Sequence, residues 1–229
     1  MMQGPNHHDI PTNNARGVCL LQSQDLDGAI HIFRESLDQV RQFMSFCDVT
    51  CNKDRLQIIS TNEPIQGSPQ DQFLCFTQPF VVLSTEPNIY FELAEASAHD
   101  LNLLVATMLF NLALAHQLRS SSGKSPSWSH DVNKAISLYK HAVHITSSIQ
   151  KAQVDTYFCG AEDRASALAV AVGNNLGGLF AEVHDFTALH TLLEWTTQQA
   201  CKSKSEATTC FWANLLSFRA INSFPAAMA

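Results

Sequence analysis

One spacing recurs three times along this chain, and it constrains the fold more than any other feature. Within apolar-periodic segments, a small residue is followed in the next segment by a residue suited to close approach. One turn later comes an aromatic or large apolar residue. Gly17 leads to Ala29, Phe33 and Ser36; Ala113 leads to Ala135, Tyr139 and Ala142; Gly177 leads to Leu189, Leu193 and Thr196. The first gap is twelve positions in two cases and 22 in the middle one, where SSSGKSPSW (120–128) supplies the excess. A small residue in one helix lets a second helix approach closely, and the bulky residue a turn later fills the space toward the next pair.

The rest of the chain reads as helices around one different region. Helical patterns run from Asn13 to Ser23 and, after an N-cap at Asp25, through Leu26, Ala29, Ile30, Phe33, Leu37 and Val40. Others span 100–118, 131–151, 163–183 and 186–201, and a last one, SEATTCFWANLLSFRA, opens on Ser205 as N-cap. Between them, LQIIS (56–60) and FLCFTQPFVVL (73–83) are β-branched or aromatic runs separated by the turn-rich NEPIQGSPQ. They read as two strands of a hairpin inserted into a helical protein. The expected organisation is a flexible leader over 1–12 and a single domain over 13–229, with 52–84 the hairpin insertion and 120–129 a flexible loop.

At NNARGVCLLQSQDLDGAIHIFRESL, LFNLALAHQL…VNKAISLYKHAV and NNLGGLFAEVHDFTALHTLLEW the chain resembles the tetratricopeptide repeat, over about 95 residues in all. Asp25-Leu26 and Asp185-Phe186 match the short turn between paired helices. The Trp that often opens a unit and the Pro that closes it are missing, and the units are not contiguous. The resemblance implies a mostly α fold: a TPR-like α-solenoid of about three helix–turn–helix units, an inserted β-hairpin and a polar-faced C-terminal capping helix.

It also implies a function. In this family the first helices of successive units line a concave face that takes an extended peptide or a helix. The positions so selected are Asn14, Val18, Leu21, Phe110, Asn111, Leu114, Gln117, Asn174, Asn175 and Gly178. The expectation is a non-enzymatic protein–protein interaction module with a neutral, Asn-rich groove and another polypeptide as partner. An Asn amide can both donate to and accept from a partner's backbone. The competing reading is that these asparagines satisfy the scaffold's own buried backbone. The charged clamp that grips a partner's C-terminal carboxylate in some members needs Lys and Arg where Asn14 and Asn175 stand, so a chaperone-tail adaptor is disfavoured.

Charge narrows the partners. With 14 basic against 21 acidic residues the chain carries −7, and its Lys and Arg are scattered singly. Nucleic-acid binding rests on clustered cations, so none is expected. Seven cysteines, an odd number without framework spacing, and a polar N-terminus point to reduced thiols in a cytoplasmic or nuclear setting. The stretch ALAVAVGNNLGGLFAEV is broken by Asn174 and Asn175, and no membrane span is expected.

Other constellations invite sharper readings. His141 and His144 share a helix face, and Cys47 and Cys51 lie four apart, but neither pair has the third and fourth ligands that a metal site needs. No cofactor or metal is expected. His116 would need an orienting carboxylate and a nucleophile to act as a base, and the sequence suggests neither. Gly173 to Gly178 lacks the Lys-Ser/Thr ending of a phosphate loop, and its glycines suit close helix approach. Ser125-Pro126 offers a phosphorylation site in a loop. Two other functions stand behind the interaction module: a structural subunit that forms homo-oligomers through its hairpin, and an enzyme on a helical-repeat scaffold, the least supported.

Overall fold

The computed structural model describes residues 10–46, 56–61, 63–65, 75–85, 96–122, 127–153 and 162–222. Among them are seven helices and one two-stranded antiparallel sheet. The helices are α1 (Ile10–Gln22), α2 (Leu26–Phe46), α3 (Ala98–Ser121), α4 (Trp128–Gln153), α5 (Glu162–Glu182), α6 (Phe186–Ala200) and α7 (Glu206–Asn222). The strands are β1 (Leu56–Ser60) and β2 (Phe80–Ser84), with Ile58 opposite Val82. From α1 to α6 each helix packs on the next; α3 also meets α1 and α5, and α7 rests mainly on α5. The fold is mostly helical, and the sheet lies against α1, α3 and α5.

Two helix–turn–helix corners have the same construction. At the end of α1, Gln24 N–H donates to Leu21 O and Asp25 N–H to Leu20 O; at the end of α5, His184 N–H donates to Ala181 O and Asp185 N–H to Phe180 O. This is the Schellman pattern, and it places Gln24 and His184 in left-handed backbone at φ 62° and 60°. The following aspartate then caps the next helix: Asp25 Oδ1 accepts from Gly28 N at 3.0 Å, and Asp185 Oδ1 from Ala188 N at 3.1 Å. One residue thus ends one helix and starts the next, which explains why the turn is so short.

Close approach occurs where the sequence spacing put it, through a different contact. A Cβ on Gly17 would stand 2.5 Å from the Phe33 ring, so the aromatic residue, not Ala29, fills the space that the glycine leaves. At Gly177 the neighbour is Leu189, at a looser 3.4 Å.

α3 is the hub. It is apolar nearly all round, as a helix buried on every side must be. By length and composition it could cross a membrane, yet 78% of its most apolar window is buried by the surrounding helices and sheet. The sequence reading had singled out the α5 stretch instead. Ser97 and Asp100 form a reciprocal capping box at its start. Asp100 Oδ1 also accepts from Leu56 N at 2.9 Å, tying the first residue of β1 to the N-terminus of α3.

Several boundaries differ from the sequence expectations. Residues 10–12, assigned to a leader, are the first turn of α1, where Pro11 has no intrahelical N–H to lose. Helices α3 and α4 consume both ends of the expected 120–129 loop. The second strand begins at Phe80: Pro79 before it has no N–H for the ladder, and residues 73–74 lie outside the described residues. α7 is not polar-faced: Trp212 and Leu216 are exposed on it, Leu216 at 67%. Residues 1–9, 123–126 and the 52–55 and 66–74 parts of the insertion lie outside the described residues, with Cys47, Cys51, Cys159, Ser125 and Pro126. Cys19, Cys201 and Cys210 are free thiols.

Candidate functional site

The extended segment 76–82 lies across α1, α3 and α5, and each of these helices gives it one asparagine. Asn175 Oδ1 accepts from Phe76 N at 2.8 Å, while its Nδ2 donates to Phe76 O at 3.0 Å. Asn111 does the same to Phe80, at 3.0 and 2.8 Å. Asn14 Oδ1 accepts from Val82 N at 3.0 Å, but its buried Nδ2 has no partner among the described residues. An amide that accepts an N–H and donates to the C=O of one residue reproduces the edge of a neighbouring strand.

Asn111 and Asn175 stand two residues before the small residues Ala113 and Gly177, whereas Asn14 stands three before Gly17. Asn14 makes half of the clamp.

The other edge of the segment is bonded by ordinary backbone. β1 pairs with 80–84, Thr61 N donates to Pro79 O, and Ile65 N donates to Thr77 O. Pro79 faces β1 without an N–H to give, so its pairing with Thr61 keeps only the bond from Thr61 N to Pro79 O. The hairpin is thus a strand held between β1 and a row of side-chain amides.

Side chains complete the seat. Phe76 and Phe80 are 2% and 3% exposed and meet Phe110 at ring distances of 6.3 and 5.2 Å, with Tyr139 5.8 Å beyond. Tyr139 donates to Gln117 Oε1 and accepts from Asn175 Nδ2, and burial pushes its phenol well above the ordinary value, so it stays protonated. Gln78 Nε2 donates to Glu206. Asn14, Asn111 and Asn175, which bond the segment's backbone, and Phe110 and Tyr139 beside them are uncharged; the charged side chain that it meets is Glu206, at Gln78.

The remaining sequence candidates fall into two groups. Val18, Leu21, Phe110 and Leu114 are buried in the core beside the clamp, and Gln117 orients Tyr139. Asn174 lies elsewhere: its Oδ1 accepts from Asn214 Nδ2 of α7 at 2.7 Å, and its Nδ2 donates to Asn175 Oδ1. Gly178 borders a small crevice shared with Leu189, Leu193, Phe211 and Asn214. Phe76, Phe80 and Val82 were missed as site residues, since nothing local in a strand pattern tells what its edge will meet.

A second buried constellation joins α2, α3 and α4. His116 Nδ1 lies 2.8 Å from Asp131 Oδ1, and its Nε2 lies 3.4 Å from Arg34 Nη2. Arg119 binds both oxygens of Asp131 and reaches Asp27 of α2. The sequence reading found no carboxylate to orient His116; Asp131 is that carboxylate, separated from it by the loop. Burial, opposed by the Asp131 hydrogen bond, lowers the His116 pKa below its ordinary value. The neutral ring with hydrogen on Nδ1 donates to Asp131 and accepts from Arg34, leaving neither nitrogen free for a reacting group.

His141 Nδ1 bonds Ser137 O on the exposed face of α4. Among the described residues no three His, Cys, Asp or Glu side chains are grouped to hold a metal ion. A cleft of about 180 Å³ opens beside β1, lined by Ile58, Ser60, Phe76, Phe80, Ala167, Lys204 and Ser205.

Compared with protein-family models, curated proteins and solved structures, the chain matches none.

Proposed function

We propose that this chain is a TPR-like helical repeat whose work is to bind another polypeptide in the groove formed by α1, α3 and α5. The observation that carries the reading is the triple contact of Asn14, Asn111 and Asn175 with the backbone of an extended segment. A row of amides on successive first helices is suited to any extended chain, because it reads backbone and not sequence. The equal construction of the Gln24 and His184 corners, and the order in which the helices pack, support the repeat. In the resting chain the inserted hairpin fills this groove, so a partner must exchange with it.

The test places a compact photo-reactive diazirine amino acid at Phe110, on the floor of the groove. In the isolated full chain it crosslinks to residues 76–80 of the same molecule. With extract of the native cell, the reading expects an adduct with a second polypeptide and a matching loss of the internal one. An internal adduct alone, under every condition, would sink the proposal.

A second reading has its own observation. With 57, 59 and 61 bonded to 83, 81 and 79, the backbone groups of Ile58 and Ser60 point away from β2, and Ile59 and Leu83 are 47% and 39% exposed. Among the described residues no strand pairs with that edge, and an edge with an apolar face invites strand pairing between two copies. Light scattering decides it: a dimer that Ile59→Lys turns into a monomer supports self-association, and a monomeric parent rejects it.

A further inference from the structure

We propose that the groove's ligand class is written in its present occupant. The partner segment is an extended stretch of pattern Phe-x-x-x-Phe-x-Val, uncharged at its clamped positions and running from α5 to α1, and residues 76–82 hold its place until it arrives. This rests on the groove reading above and names its ligand.

Four observations carry it. The backbone clamps fall at the first, fifth and seventh positions, Phe76, Phe80 and Val82. At the first two of these, aromatic side chains stack into the Phe110–Tyr139 cluster, and at the seventh Val82 is 1% exposed. Asn14, Asn111, Asn175, Phe110 and Tyr139 bring no charge to the seat, so a Lys or Asp at a clamped position would be buried without a counter-ion. The third position accepts a polar residue that can donate, as Gln78 does to Glu206.

The present occupant is also an incomplete ligand. Asn14 is fully buried, yet its Nδ2 goes unpaired where Asn111 and Asn175 each reach a carbonyl. A segment whose carbonyl meets Asn14 gains a hydrogen bond that residues 76–82 do not make. Exchange therefore has a direction, although the tethered segment competes from an effective concentration on the order of millimolar.

A labelled peptide with the sequence of residues 73–84, carrying Cys75→Ser, is titrated against full-length variants and followed by fluorescence anisotropy. The parent chain should show no saturable binding below about 100 µM, because the tethered copy outcompetes it. Phe80→Ala weakens the tethered copy and should bind the peptide at micromolar concentration. Adding Asn111→Ala should then cost about tenfold in affinity or more, through two lost hydrogen bonds. A peptide with Phe80→Asp should not bind.

If Phe80→Ala folds and the peptide fails to bind, or binds equally after Asn111→Ala, the inference is wrong. If Phe80→Ala does not fold alone, excess peptide must restore a cooperative helical melt, and failure to do so overturns the inference equally. Should the peptide fail while the diazirine at Phe110 still captures a second polypeptide, the ligand class falls and the groove reading stands.

Discussion

Asn111 and Phe80, 31 residues apart in the chain, exchange two hydrogen bonds as residues of neighbouring strands do, although one belongs to a helix. The side-chain amide acts as a short strand edge. Removing it leaves a buried N–H and a buried C=O of Phe80 without partners, each costing about 1–3 kcal/mol. Asn111→Ala and Asn175→Ala should therefore each destabilise by about 2–5 kcal/mol. Asn14→Ala strands only the Val82 N–H and should cost about half as much. Urea denaturation of the three variants checks the order, and equal losses would refute the half-clamp at Asn14.

That ladder was legible in part. The spacing from the small residues singled out Asn14, Asn111 and Asn175, and their bonds go to the chain's own buried backbone, the competing reading of them. What the sequence could not show is the occupant. Phe76 is 99 residues from Asn175, and its local pattern is that of any half-buried strand. Asn174 was selected with Asn175, but a helix turns 100° per residue, and that step carries it to α7. The His116–Asp131 pair was hidden for a similar reason: its members sit on opposite sides of a loop whose length says nothing of helix rotation.

Glycine at position 17 and glycine at position 177 should respond oppositely to alanine. At Gly17 the new methyl meets the Phe33 ring at 2.5 Å, and Phe33 is itself fully buried, so overpacking should cost about 1–3 kcal/mol. At Gly177 the nearest atom is a Leu189 methyl at 3.4 Å, a contact that a small rotation relieves. There the helix-propensity gain dominates, and Gly177→Ala should stabilise by about 0.5–1 kcal/mol. Thermal melts of the two variants decide, and a loss at both would show that Leu189 cannot yield to a methyl at position 177.

Acid should weaken the junction of α2, α3 and α4. His116 is fully buried, and desolvation, with Arg119 and Arg34 adding to it against Asp131, holds its pKa below 6.5. The unfolded chain, near 6.5, then binds the proton more readily than the folded one. The neutral imidazole's contribution is complete above pH 6.5 and is lost as pH falls from there through the folded pKa. Charging Nε2 also turns it into a donor facing the Arg34 guanidinium. Melting temperatures measured from about pH 7.5 down to about pH 5 should fall in the parent. His116→Gln should start lower and fall less steeply; parallel slopes would remove His116 from the account.

The two left-handed corners offer a test of backbone strain. Gln24 and His184 hold φ near +60° with full side chains, which costs roughly 1–2 kcal/mol in an L residue, partly offset because glycine has more unfolded-state freedom to lose. Gln24→Gly should stabilise by about 0.5–1 kcal/mol. His184→Gly should gain less, since the His184 ring packs edge-on against Phe186 at 5.9 Å and that contact disappears. The corners share no partner, so the double variant should equal the sum of the singles to within about 0.5 kcal/mol. Chemical denaturation of the three variants measures this. A loss of stability at either position would mean that the contacts of the side chain outweigh the strain of its left-handed backbone.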